Sequence, residues 1–140
     1  GDNDQLTPLH GSVGDATPYL LAKGANTSAR SGANWTWGLR SGSTPLHLAQ
    51  SGLCGEASEH LLNWGANIEA IDTADGYTPL HLAIVEVSND SAEVLLDWGA
   101  RIEHATPAGK TPLSRTMLEK EKALLLLQEG ARRFLTLVVL

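Results

Sequence analysis

The chain has 140 residues and a formal net charge of −6, and 42% of its residues are hydrophobic although only seven are aromatic (four Trp, two Tyr and one Phe). The 23 Leu and 17 Ala residues favour thin layers of helices packed through small side chains, and this composition argues against a wholly disordered chain. No run approaches the roughly 20 apolar residues of a membrane helix, so the sequence predicts no membrane insertion.

Charge is distributed unevenly along the chain. Residues 1–55 carry three acidic and three basic residues, residues 56–103 carry ten acidic residues against Arg101 alone, and residues 104–140 carry three acidic and six basic residues. The acidic middle would repel nucleic acid phosphates and favours a basic protein partner. The single cysteine, Cys54, can form neither an intrachain disulfide nor a four-ligand zinc site, which predicts a reducing, intracellular location in the cytoplasm.

Two motifs recur four times along the chain. The first, Thr-Pro-Leu-His, begins at Thr7, Thr44 and Thr78 and returns as Thr-Pro-Leu-Ser at Thr111. The second, Leu-Leu-x-x-Gly-Ala, follows each copy of the first. Its copies occupy Leu20–Ala25, Leu61–Ala66, Leu95–Ala100 and Leu126–Ala131. Two motifs that recur in the same order and at nearly regular intervals predict a repeat architecture.

The repeat resembles the ankyrin repeat, whose signature Thr-Pro-Leu-His-x-Ala stands intact at Thr44–Ala49 and Thr78–Ala83. Local chemistry agrees, because Thr caps a helix, Pro suits the first helical position, and a glycine such as Gly65 or Gly99 ends a helix in the left-handed conformation. The resemblance implies a mainly α-helical solenoid of stacked helix-turn-helix units. β-Hairpin segments, here called fingers, would join the repeats, as in Ile68–Tyr77.

The predicted array is a single domain over residues 1–140, with repeats at roughly 5–37, 42–75, 76–108 and 109–140. The helix-ending glycine follows the motif threonine at the same distance in the second and third repeats. It follows sooner in the first repeat, where it is Gly24, and in the last, where it is Gly130. The first repeat is therefore shorter by about one helical turn, and Pro18 is expected to shorten its second helix further.

The finger after the first repeat is unusually long. It runs from Gly24 to Thr44, whereas the two later fingers, from Gly65 to Thr78 and from Gly99 to Thr111, are much shorter and nearly equal in length. We therefore predict an insertion of about seven residues within residues 29–43.

The four tryptophans divide into two pairs. Trp64 and Trp98 occupy the same position of successive repeats, so they either cover the outer helical layer or form an aromatic ladder that contacts a partner from the back. Trp35 and Trp37 lie in the insertion, where alternate residues of an extended segment point to the same side. They either fold back onto the shortened first repeat or, together with Arg40, extend a concave binding face as interface anchors.

No sequence pattern favours catalysis or a cofactor. The motif histidines His10, His47 and His81 recur at one repeat position, where the resemblance implies structural hydrogen bonds. His60 and His104 have no Cys or His at metal-ligand spacing, and motifs of nucleophilic, zinc or dinucleotide chemistry do not occur. We predict that the chain is not an enzyme and has no metal or cofactor. A small-molecule or catalytic site in the groove is a remote alternative.

The resemblance implies a module for binding proteins through the finger tips and the exposed side of the first helix of each repeat. These positions vary within the family, so they indicate where contact occurs rather than what is contacted. The predicted contact residues are Trp35, Trp37, Arg40, Gln50, Ser51, Thr73, Asp75, Tyr77, Val85, Glu86, Pro107, Lys110 and Met117.

Both ends of the sequence depart from the repeat pattern. Asp2–Leu6 resembles half a finger, and Phe134–Leu140 is apolar at six of seven positions where a polar cap is expected. This predicts an excerpt of a longer array or an unusual closure. The alternative function is a structural segment of a larger repeat protein, or one that self-associates through the apolar C-terminal tail.

Overall fold

The computed structural model describes residues 6–12, 16–32, 40–51, 55–86, 89–115, 124 and 127–133. Short helices occur in pairs along these residues. Their bounds are α1 Ala16–Ala22, α2 Pro45–Leu48, α3 Glu56–Asn63, α4 Pro79–Val85, α5 Asn89–Asp97 and α6 Pro112–Arg115. The first helix of a pair is a 3-10 turn over Pro8–His10 in the first repeat, and α2, α4 and α6 in the later ones. Residues 127–133 are also helical.

The first helix of each pair begins directly after the motif threonine. Thr7, Thr44 and Thr78 are extended, with φ between −81° and −88°, and the proline that follows each of them occupies the first helical turn. The fixed φ of proline suits that position, and its missing N–H would be unpaired there in any case. The predicted helix starts are therefore confirmed.

The helices form two layers that extend along the array. In one layer the Pro8–His10 turn packs on α2, α2 on α4, and α4 on α6; in the other, α1 packs on α3 and α3 on α5. Within the pairs, α2 packs on α3 and α4 on α5. Each unit thus contacts its neighbours in sequence, which is the arrangement of a solenoid.

A thin core of Leu and Ala lies between the two layers. The motif leucines Leu9, Leu46 and Leu80 are buried, as are Leu61 and Leu95 from the second helices. Small residues are buried with them in the same core, and they are Ala49, Ala57, Ala83 and Ala92. The low aromatic content therefore reflects thin layering, as the composition predicts.

The second helices end at left-handed glycines, as predicted. Gly24, Gly65 and Gly99 have φ of 86°, 83° and 91°. At each of them a pair of backbone bonds closes the helix, as in the bonds from Gly65 N–H to Leu62 O and from Ala66 N–H to Leu61 O, both 3.0 Å. This pair of bonds satisfies carbonyls that the end of the helix would otherwise leave open.

The last repeat departs from this pattern, and the predicted helix end at Gly130 is wrong. Helical backbone continues from residue 127 to 133 through this glycine. A Cβ at Gly130 would lie 3.1 Å from Ile102 Cδ1, so the glycine serves close packing between the last helix and the preceding segment. In the last repeat the glycine of the Leu-Leu-x-x-Gly-Ala motif therefore lies inside a helix.

Turns occupy the finger segments. Among the residues that the structure describes, no β-strand is present, so the hairpin form of the fingers stays a prediction. Backbone bonds close the turns, from Ser31 N–H to Ser43 O at 2.8 Å together with Gly42 N–H to Ser31 O at 3.0 Å, and from Asp72 N–H to Tyr77 O at 2.9 Å. The first of these closes the base of the predicted insertion.

Replacing Gly42 with alanine is expected to destabilise the protein by about 3 kcal/mol. Gly42 has φ of 71°, and a Cβ there would lie 2.5 Å from Thr73 Oγ1 and 2.9 Å from Thr73 N. Gly109 is the matched control, because its φ is 75° but nothing lies within 4 Å of an added Cβ. Gly109→Ala should cost only about 1 kcal/mol. Equal losses for the two variants in urea unfolding would contradict the close approach at Gly42.

Candidate protein-binding surface

Each motif histidine joins its own repeat to the following finger. The Nδ1 atoms of His10, His47 and His81 accept the main-chain N–H of the motif threonine three residues earlier, at 3.1, 3.1 and 3.2 Å. Their Nε2 atoms lie 3.1, 2.9 and 3.0 Å from the carbonyl oxygens of the residues that precede the next motif threonine. Those carbonyls belong to Ser43, Tyr77 and Lys110. The histidines are thus structural, as the resemblance implied.

This bonding pattern fixes the protonation of the histidines. A nitrogen that accepts a main-chain N–H carries no proton, so the ring proton lies on Nε2 and is donated to the carbonyl. Burial lowers the pKa of His10 and of His47 below the ordinary value of 6.5, against a smaller opposing effect of the carbonyls of Ser43 and Tyr77. The neutral ring is therefore the form that holds the repeats together.

Acidification is expected to weaken the fold. Since the pKa of His10 and of His47 is lower in the folded chain than in the unfolded one, the unfolded chain binds more protons below pH 6.5. The free energy of unfolding should be level above that pH. Below it the free energy should fall, by at most about 1.4 kcal/mol per pH unit for each histidine, until the pH reaches the folded-state pKa. Urea unfolding between pH 5 and 8 measures the slope. In a His47→Asn variant the free energy of unfolding should depend less steeply on pH, because one of the two histidines no longer contributes. An unchanged slope would contradict the attribution of the pH dependence to His47.

A second set of residues completes these links from the finger side. Ser31, Asp72 and Thr106 each donate a main-chain N–H to the same carbonyl that accepts the histidine, at 2.8, 2.9 and 2.9 Å. Their side-chain oxygens accept the N–H of that carbonyl's residue, at 3.0, 3.2 and 3.1 Å. Each such group of bonds, here called a node, therefore ties a histidine, a finger turn and the next helix start into one unit.

The node at Tyr77 carries an additional charged cluster. The Asp72 carboxylate is buried; its Oδ1 accepts the N–H of Asp75 at 2.9 Å, and its Oδ2 lies 2.6 Å from Arg40 Nε. Arg40 also pairs with Asp75. The Arg40 guanidinium carbon lies 4.4 Å from the centre of the Tyr77 ring, and that ring stacks on His81 at 5.2 Å. Arg40 thus links the base of the insertion to the second finger.

Six of the predicted contact residues have exposed side chains. Thr73 and Asp75 lie at the tip of the second finger, Pro107 and Lys110 lie in the third, and Val85 and Glu86 lie at the end of α4. The nodes fix the backbone beneath the finger residues. The side chains stay exposed, although the Asp75 carboxylate pairs with Arg40 and the Thr73 hydroxyl lies 3.0 Å from Ser41 Oγ. This arrangement presents exposed groups on a preorganised backbone.

Comparison with known proteins identifies the family of the chain. A family model described as ankyrin repeats, three copies, matches residues 10–106, which is more than half of the 140 residues. The chain belongs to the ankyrin-repeat family. Ankyrin repeats are generally non-catalytic modules for protein–protein interaction. No curated protein matches the chain.

Two of the predicted contact residues of this ankyrin array are buried, and their assignment to an exposed surface is wrong. Gln50 is fully buried, and its Nε2 donates to Leu46 O at 2.6 Å and to Ser58 Oγ at 3.1 Å, which ties α2 to α3. Tyr77 is 5% exposed because its ring lies against His81 and Arg40.

Arg40 is described but engaged within the ankyrin array, so its guanidinium serves the second finger. Trp35, Trp37 and Met117 lie outside the described residues, as does the side chain of Ser51, whose backbone belongs to the 3-10 turn after α2. The two interpretations of Trp35 and Trp37 therefore both stay predictions.

The node residues Ser31, Asp72 and Thr106 were not predicted from the sequence. A signal exists, since Asp72 and Thr106 precede the motif threonines Thr78 and Thr111 by six and five residues. Ser31 lies farther ahead of its motif threonine, on the other side of most of the predicted insertion. Three different residue types share the role because each offers a side-chain oxygen as acceptor.

No metal centre was found in the described part of the ankyrin array, where no group of three or more His, Cys, Asp and Glu side chains could hold an ion. Over the same residues, no helix is long and apolar enough to cross a membrane.

Proposed function

We propose that this ankyrin array is a non-catalytic binding module that holds a basic protein partner with its finger tips and the exposed ends of its first helices. The observation that supports it best is the contrast at the second and third fingers between fixed backbone and exposed side chains. The side chains of Thr73 and Asp75 are exposed next to the buried Asp72. The side chain of Lys110 is exposed too, although the Lys110 backbone is held by the hydrogen bond from His81 Nε2 to its carbonyl oxygen. A surface ordered in advance loses little entropy when a partner binds.

Charge supports a basic partner. Residues 56–103, which include the second finger and α4, hold ten acidic residues and one basic residue. Exposed carboxylates of this stretch would speed the approach of a positively charged protein, and salt would screen that attraction. Binding by this surface should therefore weaken as the ionic strength rises.

Arg40 enters the proposal as a positioning residue. Its pairing with Asp72 and Asp75 holds the second finger against the base of the insertion. In this role Arg40 sets where the Asp75 carboxylate stands. The Trp35 and Trp37 side chains would extend the same surface from the insertion.

The proposal is tested by affinity capture from the native host at low and high salt, with a variant that adds positive charge to the surface. Val85→Arg/Glu86→Arg places two cations at exposed positions of the α4 end and should abolish capture of a basic partner. The matched control is Ala22→Arg/Ser28→Arg, which adds two cations at exposed positions of the first repeat. Capture that survives the α4 variant but is lost in the control would contradict the proposed surface.

The alternative function, self-association through the C-terminal tail, depends on Phe134–Leu140, which lie outside the described residues. Sedimentation at several protein concentrations distinguishes the two functions. A strict monomer at every concentration counts against self-association and leaves the binding module in place.

We also propose that the module works inside the cell. A chain with one cysteine cannot form an intrachain disulfide, which suits a reducing compartment.

A further inference from the structure

Large apolar side chains are exposed at several places of the array, and two of them share a cleft in the last repeat. Trp64 and Trp98, which follow α3 and α5, are 54% and 46% exposed. Leu113 and Leu127 are 38% and 57% exposed, and both line a cleft of about 360 Å³. This cleft, here called the end cleft, is also lined by Ile102, Gly130 and Ala131.

The two leucines of the end cleft occupy positions that are buried in the other repeats. Leu113 is the leucine of the Thr-Pro-Leu motif, and Leu127 is the second leucine of the Leu-Leu motif. Their counterparts are at most 7% exposed and belong to the core, and they are Leu9, Leu46 and Leu80 for the first position and Leu21, Leu62 and Leu96 for the second. The end cleft is therefore built from core positions of the repeat that are exposed in its last copy.

The end cleft adjoins the core of the array and is mainly apolar. Ile102 is partly buried against the core, and its Cδ1 atom lies 3.1 Å from the position of a Cβ at Gly130. Among the described residues of the lining, Glu103 alone carries a charge. Removing such apolar surface from water is favourable. An apolar segment is therefore the occupant whose chemistry fits the end cleft.

The chain itself carries an apolar segment next to the end cleft. The described helical backbone reaches residue 133, and the seven residues that follow, Phe134–Leu140, are apolar at six positions. Phe134 comes three positions after Ala131, which lines the cleft. The C-terminal tail is thus tethered at the edge of the cleft, and a tether raises the effective concentration of an occupant to the millimolar range.

The length of the tail is sufficient for it to cover the cleft. Leu127 and Ala131 are four residues apart on one helical segment, which places them about 6 Å apart along the helix axis. Seven extended residues span roughly 23 Å. A tail that turns back after Arg133 can therefore pass along the helical segment and reach Leu127, which shares the cleft with Leu113.

We propose that the apolar C-terminal tail folds back into the end cleft of its own chain and covers Leu113 and Leu127. Tethering favours the chain's own tail over a second copy, because a second copy must reach the same effective concentration in free solution. The docked tail covers these leucines as neighbouring helices cover their counterparts. It also opposes self-association, since it occupies the apolar surface that a second chain would need. This proposal does not depend on the finger surface.

Hydrogen–deuterium exchange of residues 127–133 in the full chain tests the proposal, because the packing of a segment slows the exchange of its amides. Leu135→Glu/Leu137→Glu places two charges in the tail and should speed exchange of these amides about tenfold. Leu113→Glu places a charge in the cleft and should have a similar effect. Leu6→Glu is the matched control, because Leu6 is 40% exposed in the first repeat, and it should leave these amides unchanged.

The combination of the tail and cleft substitutions shows whether the two act on each other. If the tail packs on Leu113, the variant with all three substitutions should exchange about tenfold faster than the unaltered chain, as each parent variant does. Circular dichroism establishes that the rest of the array is folded in every variant. An acceleration of about a hundredfold, the product of two independent effects, would overturn the proposal. Unchanged exchange in the Leu135→Glu/Leu137→Glu variant would also overturn it.

Sedimentation velocity of the same samples distinguishes the chain's own tail from a second copy as the occupant. The unaltered chain should be monomeric at every concentration at which residues 127–133 are protected. Protection that appears only in a dimer would overturn docking within one chain and assign the cleft to a second copy. Neither outcome affects the finger surface, which is tested by capture of a partner.

Discussion

Replacement of His47 by alanine should lower the free energy of unfolding by about 3–4 kcal/mol, the largest effect we expect from a single substitution. The imidazole is 1% exposed, accepts the N–H of Thr44, and donates to the Tyr77 carbonyl. Alanine leaves a cavity, an unpaired buried N–H and a broken link between two repeats. Urea unfolding followed by circular dichroism at pH 7.5, where the ring is neutral in both states, measures the loss.

His60→Ala is the matched control for this prediction. His60 is a half-buried histidine of α3 without the repeated node of the motif histidines, so its loss should stay below about 1 kcal/mol. If the two variants were equally destabilised, the histidine nodes would not hold the repeats together in the way described.

Removal of the Asp72 carboxylate should cost about 3 kcal/mol. It accepts the N–H groups of Asp75 and Tyr77 and pairs with Arg40, so Asp72→Ala leaves two donors unpaired and one cation with half of its partners. Asp72→Thr should cost about 1 kcal/mol, since Thr106 shows that a threonine oxygen serves this position in the third finger. Thermal and urea unfolding of the two variants compare the losses.

The difference in stability between the alanine and threonine variants separates the two contributions of Asp72, which are its hydrogen bonds to main-chain N–H groups and its ion pair with Arg40. If Asp72→Thr were as unstable as Asp72→Ala, the ion pair with Arg40 would dominate. If neither variant lost stability, the node would not support the finger. The proposed finger surface predicts a further effect, because both variants release Arg40 from Asp72 and should alter partner binding at Asp75.

Much of the fold follows from the sequence, because each repeat contains the residues that start and end its own helices. The motif threonine and proline start a helix, the leucine after them is buried, and Gly24, Gly65 and Gly99 end the second helices. These outcomes depend on backbone chemistry within a few residues, so the motif alone predicts them. The structural role of His47 also follows, because the resemblance to the ankyrin repeat implies it.

Other features depend on contacts between repeats that no local pattern encodes. Gly130 has the motif of a helix end, yet close packing on Ile102 keeps it within a helix. Gln50 lies where the exposed side of a first helix was predicted, but its amide bonds to Ser58 of α3 bury it. Tyr77 was placed at a finger tip and instead packs against His81. In each case a tertiary contact overrides what the position in the repeat predicts.

The candidate site was predictable in outline only. The sequence places the fingers and therefore the exposed tips at Asp75 and Lys110. It does not indicate that Arg40 is held by Asp72, because that pair joins two separate fingers. Nor does the register alone distinguish covered from exposed indoles at Trp64 and Trp98.

Hydrogen–deuterium exchange of the array, free and bound to the captured partner, tests the central claim most directly. A partner held by the finger tips and the α4 end should slow amide exchange in residues 73–76, 85–86 and 107–110. Unchanged exchange in all three segments of an intact complex would contradict binding by this surface.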